Sequence, residues 1–320
     1  MMQVILSIIA ASVVTSMTNE KIISSTRMTT GDQYFVFAIK TEESEYVIRI
    51  TNVEHKNKFI SAIYWQEKLI PLGIPLAKFI QTDLDCKHSK FPALLMMSLP
   101  GNDLCNIYSS LTSADKKNLA NEMVKIQSAT NTLPDGLSYG IVASYEQPSD
   151  DKSWYDFLMN RLQFFMKIIK ENAIFDENLV AEVISIAKIM EEELRAIPAR
   201  PFLWDASERN VIIHKGEISG IVDVDDMCFG DPLFVLALTY TALANEGHDT
   251  LYTDYWAEAL RLDKNAQRRL AFYRLFYAVT FMRKHSMTTT NHQKVIFDVG
   301  RLNNIFQQAL MRVKTLVWRE

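Results

Sequence analysis

One short β-like segment constrains the fold most: "NVIIHKGEISGIVDVDD" lies inside a C-terminal part whose other patterns are helical. The turn "HKGE" separates the β-branched runs 210–213 and 218–222, which is typical of two antiparallel strands joined as a hairpin. Pairing of these strands puts Asp205 and Asn210 at the start of one strand and Asp223 at the end of the other. The sequence therefore predicts that three polar side chains meet at one end of a hairpin.

The residue types at this end of the hairpin suit a metal–phosphate complex. Mg²⁺ prefers oxygen ligands and is usually held by one or two carboxylates together with substrate phosphates. Asp205 precedes Asn210 in the D-x-x-x-x-N spacing, in which the aspartate accepts a hydroxyl proton. Asp and Asn are common in turns, so this spacing alone is equally compatible with a capped turn and a solvated loop. Joined to the hairpin, to Asp223 and to "FGDP" before an apolar helix, it favours phosphoryl transfer.

The chain changes from strand-like to helix-like patterning near residue 100. Residues 21–100 contain β-branched and aromatic runs broken by turns, with a single helical pattern in "NKFISAIYWQEKLIPLGIP". Helical patterns dominate after Pro100 and Gly101, and they cover residues 112–130, 153–172, 176–196, 233–246 and 264–318. We therefore expect an α+β chain with a small β-rich lobe, residues 1–100, and a larger helical lobe, residues 101–320.

The apolar N-terminus, "MMQVILSIIAASVVTSM", could be an export signal or a packed helix. It carries no basic residue before Lys21, and its apolar run, residues 4–14, is too short to cross a bilayer. A helical face is formed by Val4, Ile5, Ile8 and Ile9. The sequence thus favours a helix packed on the first lobe, a cytoplasmic location and no membrane partner.

Charge and cysteine usage exclude several other classes of protein. The formal net charge of −4 gives no basic surface for nucleic acid. Cys86, Cys105 and Cys228 have no C-x-x-C spacing, and the six histidines are scattered. These residues therefore predict neither a disulfide framework nor a zinc site, and they are typical of a reducing compartment.

The stretch "LWDASERNVIIHKGEISGIVDVDDMCFGDPLFVLAL" resembles the core of the aminoglycoside phosphotransferase family. The likeness extends to "YVIRI" as the third strand, to "YWQEKLIPLGIPLAKFI" as the following helix and strand, and to "LLMMSLPGNDL" as the hinge. The segment "SYGIVASYEQPSDDKSWYDFL" is similar to hygromycin phosphotransferases. The resemblance implies a protein-kinase-like fold and transfer of the γ-phosphate of ATP or GTP to a hydroxyl of a small molecule, such as an antibiotic.

The same resemblance implies roles for individual residues. Asp205 is expected to be the catalytic base, Asn210 and Asp223 the Mg²⁺ ligands, and Asp231 a structural aspartate that braces the catalytic loop. Nucleotide contacts are expected from the side chain of Arg49, the backbone groups of Met97 and Leu99, and the turn around Gly31.

Several positions depart from the family pattern. Leu203 and Trp204 stand where the family has His-Gly, which we interpret as altered support of the loop with the base retained. Arg49 replaces a lysine, and strand alternation places it on the face of Val47, towards the cleft. Ala62 stands at the helix position where the family has a glutamate that would pair with Arg49. The sequence therefore leaves the ion pair of Arg49 in doubt.

The acceptor is the least constrained part of the prediction. Between residues 203 and 263 there are twelve acidic residues and three basic ones, which favours a cationic acceptor, although a solvated acidic helix face would give the same count. Asp225, Asp226 and Glu246 are the candidate acceptor-binding residues. An antibiotic kinase, a metabolic kinase for a sugar, amino alcohol or amino acid, and an inactive nucleotide-binding relative all remain open, as does the oligomeric state.

Overall fold

Five strands and two α-helices form the described part of the chain up to Met97, and helices dominate it afterwards. The structure is a computed structural model that describes residues 2–28, 34–288 and 294–317. The helices are α1 Met2–Thr18, α2 Lys56–Leu69, α3 Leu104–Ile107, α4 Ser113–Thr130, α5 Trp154–Asn172, α6 Asn178–Ile189, α7 Glu191–Arg195, α8 Leu233–Glu246, α9 Leu251–Ala259, α10 Lys264–Lys284 and α11 Val299–Val317. The strands are β1 Ile22–Met28, β2 Phe35–Thr41, β3 Glu45–Ile50, β4 Phe79–Asp83, β5 Ala93–Met97, β6 Asn102–Asp103, β7 Gly140–Val142, β8 Arg200–Phe202, β9 Val211–His214, β10 Glu217–Ile221 and β11 Met227–Gly230. The α+β class predicted from the sequence is confirmed.

An antiparallel sheet in the order β1-β2-β3-β5-β4 forms the N-terminal part. One face of this sheet is covered by α1, whose side chains Leu6, Ala10, Val13 and Val14 are buried against it. A packed helix at this position is therefore confirmed, but the predicted face is wrong in part, because Ile8 is 64% exposed. Among the described residues no helix combines the length and apolarity that crossing a membrane requires.

The opposite face of the sheet packs on α2 and faces the second half of the molecule. Phe59 of α2 is buried there with Leu94 and Met96 of β5, and Val47 lies partly buried beside them. Arg49 shares this face, as strand alternation predicts, and it is only 6% exposed. An exposed strand charge, the alternative for Arg49, is thereby excluded.

The helical part has one large core, in which α10 packs against α5, α8 and α11. Predicted helices 112–130, 153–172 and 233–246 agree with α4, α5 and α8 to within a residue or two. The prediction 264–318 is wrong, because α10 ends at Lys284 and α11 begins at Val299. No Pro or Gly lies between these two residues, so the sequence carries no strong stop signal. Likewise, 176–196 is divided into α6 and α7, and α9 was not predicted.

Two small sheets hold the segments that carry the polar residues. The predicted hairpin is present as β9 and β10, with Lys215 and Gly216 both at positive φ in its turn, and β6 adds a third strand beside β9. Gly101 permits this pairing, because a Cβ there would lie 2.1 Å from the Ile213 carbonyl oxygen. The second sheet, in the order β7-β11-β8, was not predicted. Its strands β8 and β11 flank residues 203–226 and so fix both ends of the hairpin segment.

Candidate active site

The structure brings Asp205, Asn210 and Asp223 together at one end of the β9–β10 hairpin. Asn210 Nδ2 donates to the backbone carbonyl of Asp205 at 2.8 Å, and the Val222 amide donates to the Asn210 carbonyl at 2.9 Å. Asp205 and Asp223 line the same small cavity. Because the amide nitrogen of Asn210 is engaged, its Oδ1 is left as the atom that can ligate a cation.

Asp223 adopts a backbone conformation that few residue types tolerate. Its φ is +61°, in the left-handed region, where Asn and Asp are enriched among non-glycine residues. Asp223 directly follows β10, and its Oδ1 lies 2.9 Å from Arg49 Nη2. Left-handed non-glycine residues cluster at functional sites, where the surrounding structure maintains them.

The electrostatic setting of the two aspartates favours bound cations and protons. Burial, followed by the negative charge of Asp223, raises the pKa of Asp205 to about 7. Burial also raises the pKa of Asp223, against the opposing effect of Arg49. Carboxylates crowded in a poorly hydrated site gain from a divalent cation, and the donors present are the oxygen atoms that Mg²⁺ prefers. These residues therefore fit the magnesium ion that the sequence implies.

Arg49 is fixed by two carboxylates and two aromatic rings. Its guanidinium makes two hydrogen bonds to Asp225, at 2.7 Å from Nη1 to Oδ1 and 2.5 Å from Nη2 to Oδ2. The Tyr34 hydroxyl donates to the same carboxylate. The guanidinium also lies 4.0 Å from the centre of the Tyr34 ring and 5.5 Å from that of Phe59. A forked, stacked arrangement of this kind matches the shape of arginine and not that of lysine.

The ion pair that the sequence left in doubt is made, but with a different partner. Ala62 of α2 is 1% exposed in the core, and Glu67 is at the surface. The carboxylate on Arg49 comes instead from Asp225, two residues after Asp223. Ser61 of α2 donates to the Asp225 carbonyl, so the helix still supports the pair through the backbone.

Gln127 of α4 supports the start of the loop that carries Asp205, a role that sequence reasoning missed. Its Nε2 donates to the Leu203 carbonyl at 3.0 Å, and the Leu203 amide donates to its Oε1 at 3.2 Å. Gln127 is 5% exposed, so both bonds form in the core. A buried glutamine on an amphipathic helix was the only available signal, because its partner lies 76 residues away. These two bonds fix the backbone at Leu203, one of the two positions at which the sequence departs from His-Gly.

The carboxylate of Asp231 accepts hydrogen bonds from residues of α8 and α10. Its Oδ2 accepts from Arg269 Nε at 2.7 Å and from the Tyr273 hydroxyl at 2.9 Å, and its Oδ1 accepts from the Leu233 amide at 3.1 Å. These bonds connect the start of α8 to α10. The predicted bracing of the catalytic loop by Asp231 stays a prediction.

The structure describes three of the four residues predicted to contact the nucleotide. The Met97 amide donates to the Lys78 carbonyl at 2.9 Å, so it is already engaged in the sheet. Leu99 follows β5 and lies over Gly220, where a Cβ would be 2.4 Å from Leu99 Cδ1. Gly31 lies outside the described residues. Nucleotide binding by Arg49, Met97, Leu99 and Gly31 stays a prediction.

The candidate acceptor residues are engaged with bases. Asp225 pairs with Arg49, Asp226 with Lys58, and Glu246 with Arg209. Nine of the twelve acids between residues 203 and 263 lie within 4 Å of a Lys or Arg nitrogen, as Glu208, Asp223, Asp225, Asp226, Asp231, Glu246, Asp249, Asp254 and Glu258. Most of their partners come from outside that segment, so the acid excess of the sequence overstates the charge that faces the cleft.

Comparison with known proteins gives a family match and a set of similar folds. The sequence model of the phosphotransferase enzyme family, APH, matches residues 29–273. None of the curated proteins matches the sequence.

Solved structures resemble the chain over nearly its whole length. A thermostable mutant of aminoglycoside phosphotransferase APH(4)-Ia in complex with ADP and hygromycin B is 13% identical, with a TM-score of 0.60 over 92% of this chain and 94% of that one. ADP-bound APH(2'')-Ib is also 13% identical, with a TM-score of 0.62 over 95% and 97%. A putative fructosamine-3-kinase from Haemophilus somnus is 15% identical, with a TM-score of 0.62 over 95% and 96%. At these identities the likeness shows the shared, kinase-like fold.

Proposed function

Because the chain belongs to the phosphotransferase enzyme family, we propose that it transfers the γ-phosphate of ATP or GTP to a hydroxyl of a small molecule with Mg²⁺ as cofactor. The observation that carries this proposal is the meeting of Asp205, Asn210 and Asp223 at one end of the hairpin, beside Arg49. A cytoplasmic location, where both nucleotides are available, is part of the same proposal.

Phosphoryl transfer requires the protein to position the reactants and stabilise charge more than to take part in covalent chemistry. Asp205 orients the acceptor hydroxyl and accepts its proton as the hydroxyl oxygen bonds to the γ-phosphorus and the nucleoside diphosphate leaves with the bridging oxygen. Asn210 Oδ1 and the Asp223 carboxylate would hold Mg²⁺, which neutralises charge on the triphosphate when bound. Arg49 adds a fixed positive charge beside Asp223.

Asp225 is assigned a positioning role that deepens this proposal. Its carboxylate binds both terminal nitrogens of Arg49, Nη1 and Nη2. The guanidinium is therefore shared between Asp225 and Asp223 and does not pair with Asp223 alone. In Asp225→Asn we expect Arg49 to neutralise Asp223 more strongly and so to compete with Mg²⁺. Phosphoryl transfer should fall by up to about 10²-fold, the cost of misplacing a group in such a site. The Mg²⁺ concentration for half-maximal activity should rise, which steady-state kinetics with varied Mg²⁺ would measure.

Asp249→Asn is the matched control for Asp225→Asn. It removes the carboxylate from Lys116, a cation that is 4% exposed and therefore as buried as Arg49. Both variants should lose thermal stability, but only Asp225→Asn should change the dependence on Mg²⁺. If the two variants differ in neither activity nor Mg²⁺ dependence, Asp225 is merely structural.

Two classes of acceptor fit the proposal. The acidic character of residues 203–263 supports an aminoglycoside-type antibiotic with cationic groups, and antibiotic resistance would then be the role. The ion pairs that engage most of these acids, and the similar fold of a putative fructosamine-3-kinase, support a metabolic acceptor such as a sugar or amino alcohol.

A panel of acceptors separates these classes. If the acceptor is cationic, aminated sugars should be phosphorylated in preference to neutral or anionic analogues, and their KM should rise with salt because screening weakens the attraction. Turnover of ATP and GTP with Mg²⁺ against such a panel would measure both effects. Preference for a neutral sugar without salt dependence would favour the metabolic kinase. Nucleotide binding without turnover of any acceptor would favour the inactive relative.

A further inference from the structure

Outside the proposed catalytic centre, two side chains converge on a carboxylate oxygen of a third. Cys105 lies on α3, Glu246 ends α8, and His248 follows two residues later. Glu246 Oε2 is 2.8 Å from Cys105 Sγ and 3.8 Å from His248 Nε2, and one ligand atom from each residue lies within 4.8 Å of the other two. We call these three residues the thiol cluster.

The remaining polar atoms of the thiol cluster are held from outside. Arg209 Nη2 bonds to Glu246 Oε1 at 2.5 Å, which leaves Oε2 for the other two members. His248 Nδ1 lies 3.4 Å from the Ser109 hydroxyl, which leaves Nε2 facing Glu246. Metal-binding carboxylates and imidazoles are commonly oriented by such outer hydrogen bonds, made through the atom that does not ligate.

We propose that the thiol cluster binds a zinc-class divalent ion through Cys105 Sγ, Glu246 Oε2 and His248 Nε2, with a water molecule in the fourth position. Bond lengths of about 2.0–2.3 Å place tetrahedral ligand atoms roughly 3.3–3.6 Å apart. The Sγ–Oε2 and Oε2–Nε2 separations therefore need to change by less than about 1 Å. Thiolate and imidazole ligands select Zn²⁺ over Mg²⁺, so this site is chemically distinct from the one at Asp223. When the ion binds, the Cys105 thiol loses its proton to solvent, and the resulting thiolate coordinates the ion.

A neighbouring acid adds independent support for a cation at this position. Glu208 is 2% exposed, and its Oε2 has no hydrogen-bond partner among the described residues. The Cys105 amide donates to the backbone carbonyl of Glu208 at 2.9 Å, so the backbone of Glu208 adjoins the thiol cluster. A buried carboxylate without a full set of partners is costly, and a nearby divalent charge would offset part of that cost.

The location of the thiol cluster gives the ion a structural consequence. Glu208 and Arg209 both belong to the loop between Asp205 and Asn210, while Cys105 follows the hinge and Glu246 ends α8. An ion at the thiol cluster therefore ties the hinge and α8 to the catalytic loop.

Titration of the purified full-length protein with Co²⁺ alone tests the proposal. We expect one equivalent to bind with a thiolate-to-cobalt charge-transfer band and the visible bands of a four-coordinate ion, and Zn²⁺ should displace it. Cys105→Ser should abolish the charge-transfer band, and His248→Gln should weaken Zn²⁺ binding by at least about 100-fold, as expected for loss of a ligand. The metal-free variants should unfold at the temperature of the metal-free wild type, which separates lost binding from lost folding.

Cys86→Ser is the matched control, because Cys86 is also a partly exposed free cysteine and is not in the thiol cluster. This variant should keep the full cobalt spectrum. The proposal is overturned if the wild type gives no saturable thiolate band, or if the band survives in Cys105→Ser. None of these measurements depends on kinase activity, so the test of the metal site remains valid if the proposed function is wrong.

Discussion

Asp205→Asn should lower phosphoryl transfer by roughly 10²–10⁴-fold, the usual range for removing a general base. The asparagine keeps the shape of the side chain and its place beside Asn210, but it cannot accept the proton of the acceptor hydroxyl. Nucleotide affinity should change little, because the metal ligands remain. Steady-state kinetics with the best acceptor and a separate nucleotide-binding titration would measure the two effects.

Glu217→Gln is the control for Asp205→Asn. It makes the same carboxylate-to-amide change on the same hairpin, at the exposed first residue of β10. Its activity should equal that of the wild type. If Asp205→Asn retains wild-type transfer as well, Asp205 is not the base and the mechanism proposed for the hairpin is wrong.

Asp223→Ala should remove Mg²⁺-dependent nucleotide binding together with turnover. The aspartate supplies the only full carboxylate charge among the two proposed metal ligands, so no other ligand replaces it. Alanine is also disfavoured at a φ of +61°, and the variant could lose the local turn for that reason alone. Asp223→Asn tolerates the left-handed backbone and removes only the charge, so both variants should show the same loss of affinity for the magnesium nucleotide.

Calorimetric titration with nucleotide, in the presence and absence of Mg²⁺, would measure this loss. Asp205→Asn serves as the control, because it should bind the magnesium nucleotide and fail only in transfer. Unchanged magnesium-nucleotide affinity in both Asp223 variants would contradict the assignment of Asp223 as a metal ligand.

Local patterns were sufficient for the elements whose signals lie within a few residues. The β9–β10 hairpin follows from β-branched runs around a turn, and α4, α5 and α8 follow from apolar periodicity. The single helix predicted over 264–318 failed because the break at Lys284 carries no Pro or Gly. Strands β7, β8 and β11 were missed because each has only three or four residues, too few for a periodic signal.

The partners within the candidate site depended on contacts between distant parts of the chain. The sequence indicated that Arg49 faces the cleft, but the carboxylate that binds it, on Asp225, is 176 residues away. Gln127 and Leu203 are separated by 76 residues, and Cys105 and Glu246 by 141. Composition and spacing therefore predicted no zinc site, whereas the folded chain brings three suitable ligands together.

The sequence by itself determined the α+β class, the family and the convergence of Asp205, Asn210 and Asp223, because all three residues lie on or beside one hairpin whose pairing is local. Only the tertiary structure decided which charges neutralise one another. Arg49 pairs with Asp225 because α2 places Ala62 in the core and its only carboxylate, Glu67, at the surface. Acids that the sequence counts as an excess are held by bases from other elements. The physical reason is that a buried charge requires a partner within hydrogen-bonding distance, and in a folded chain that partner is chosen by packing and not by sequence separation.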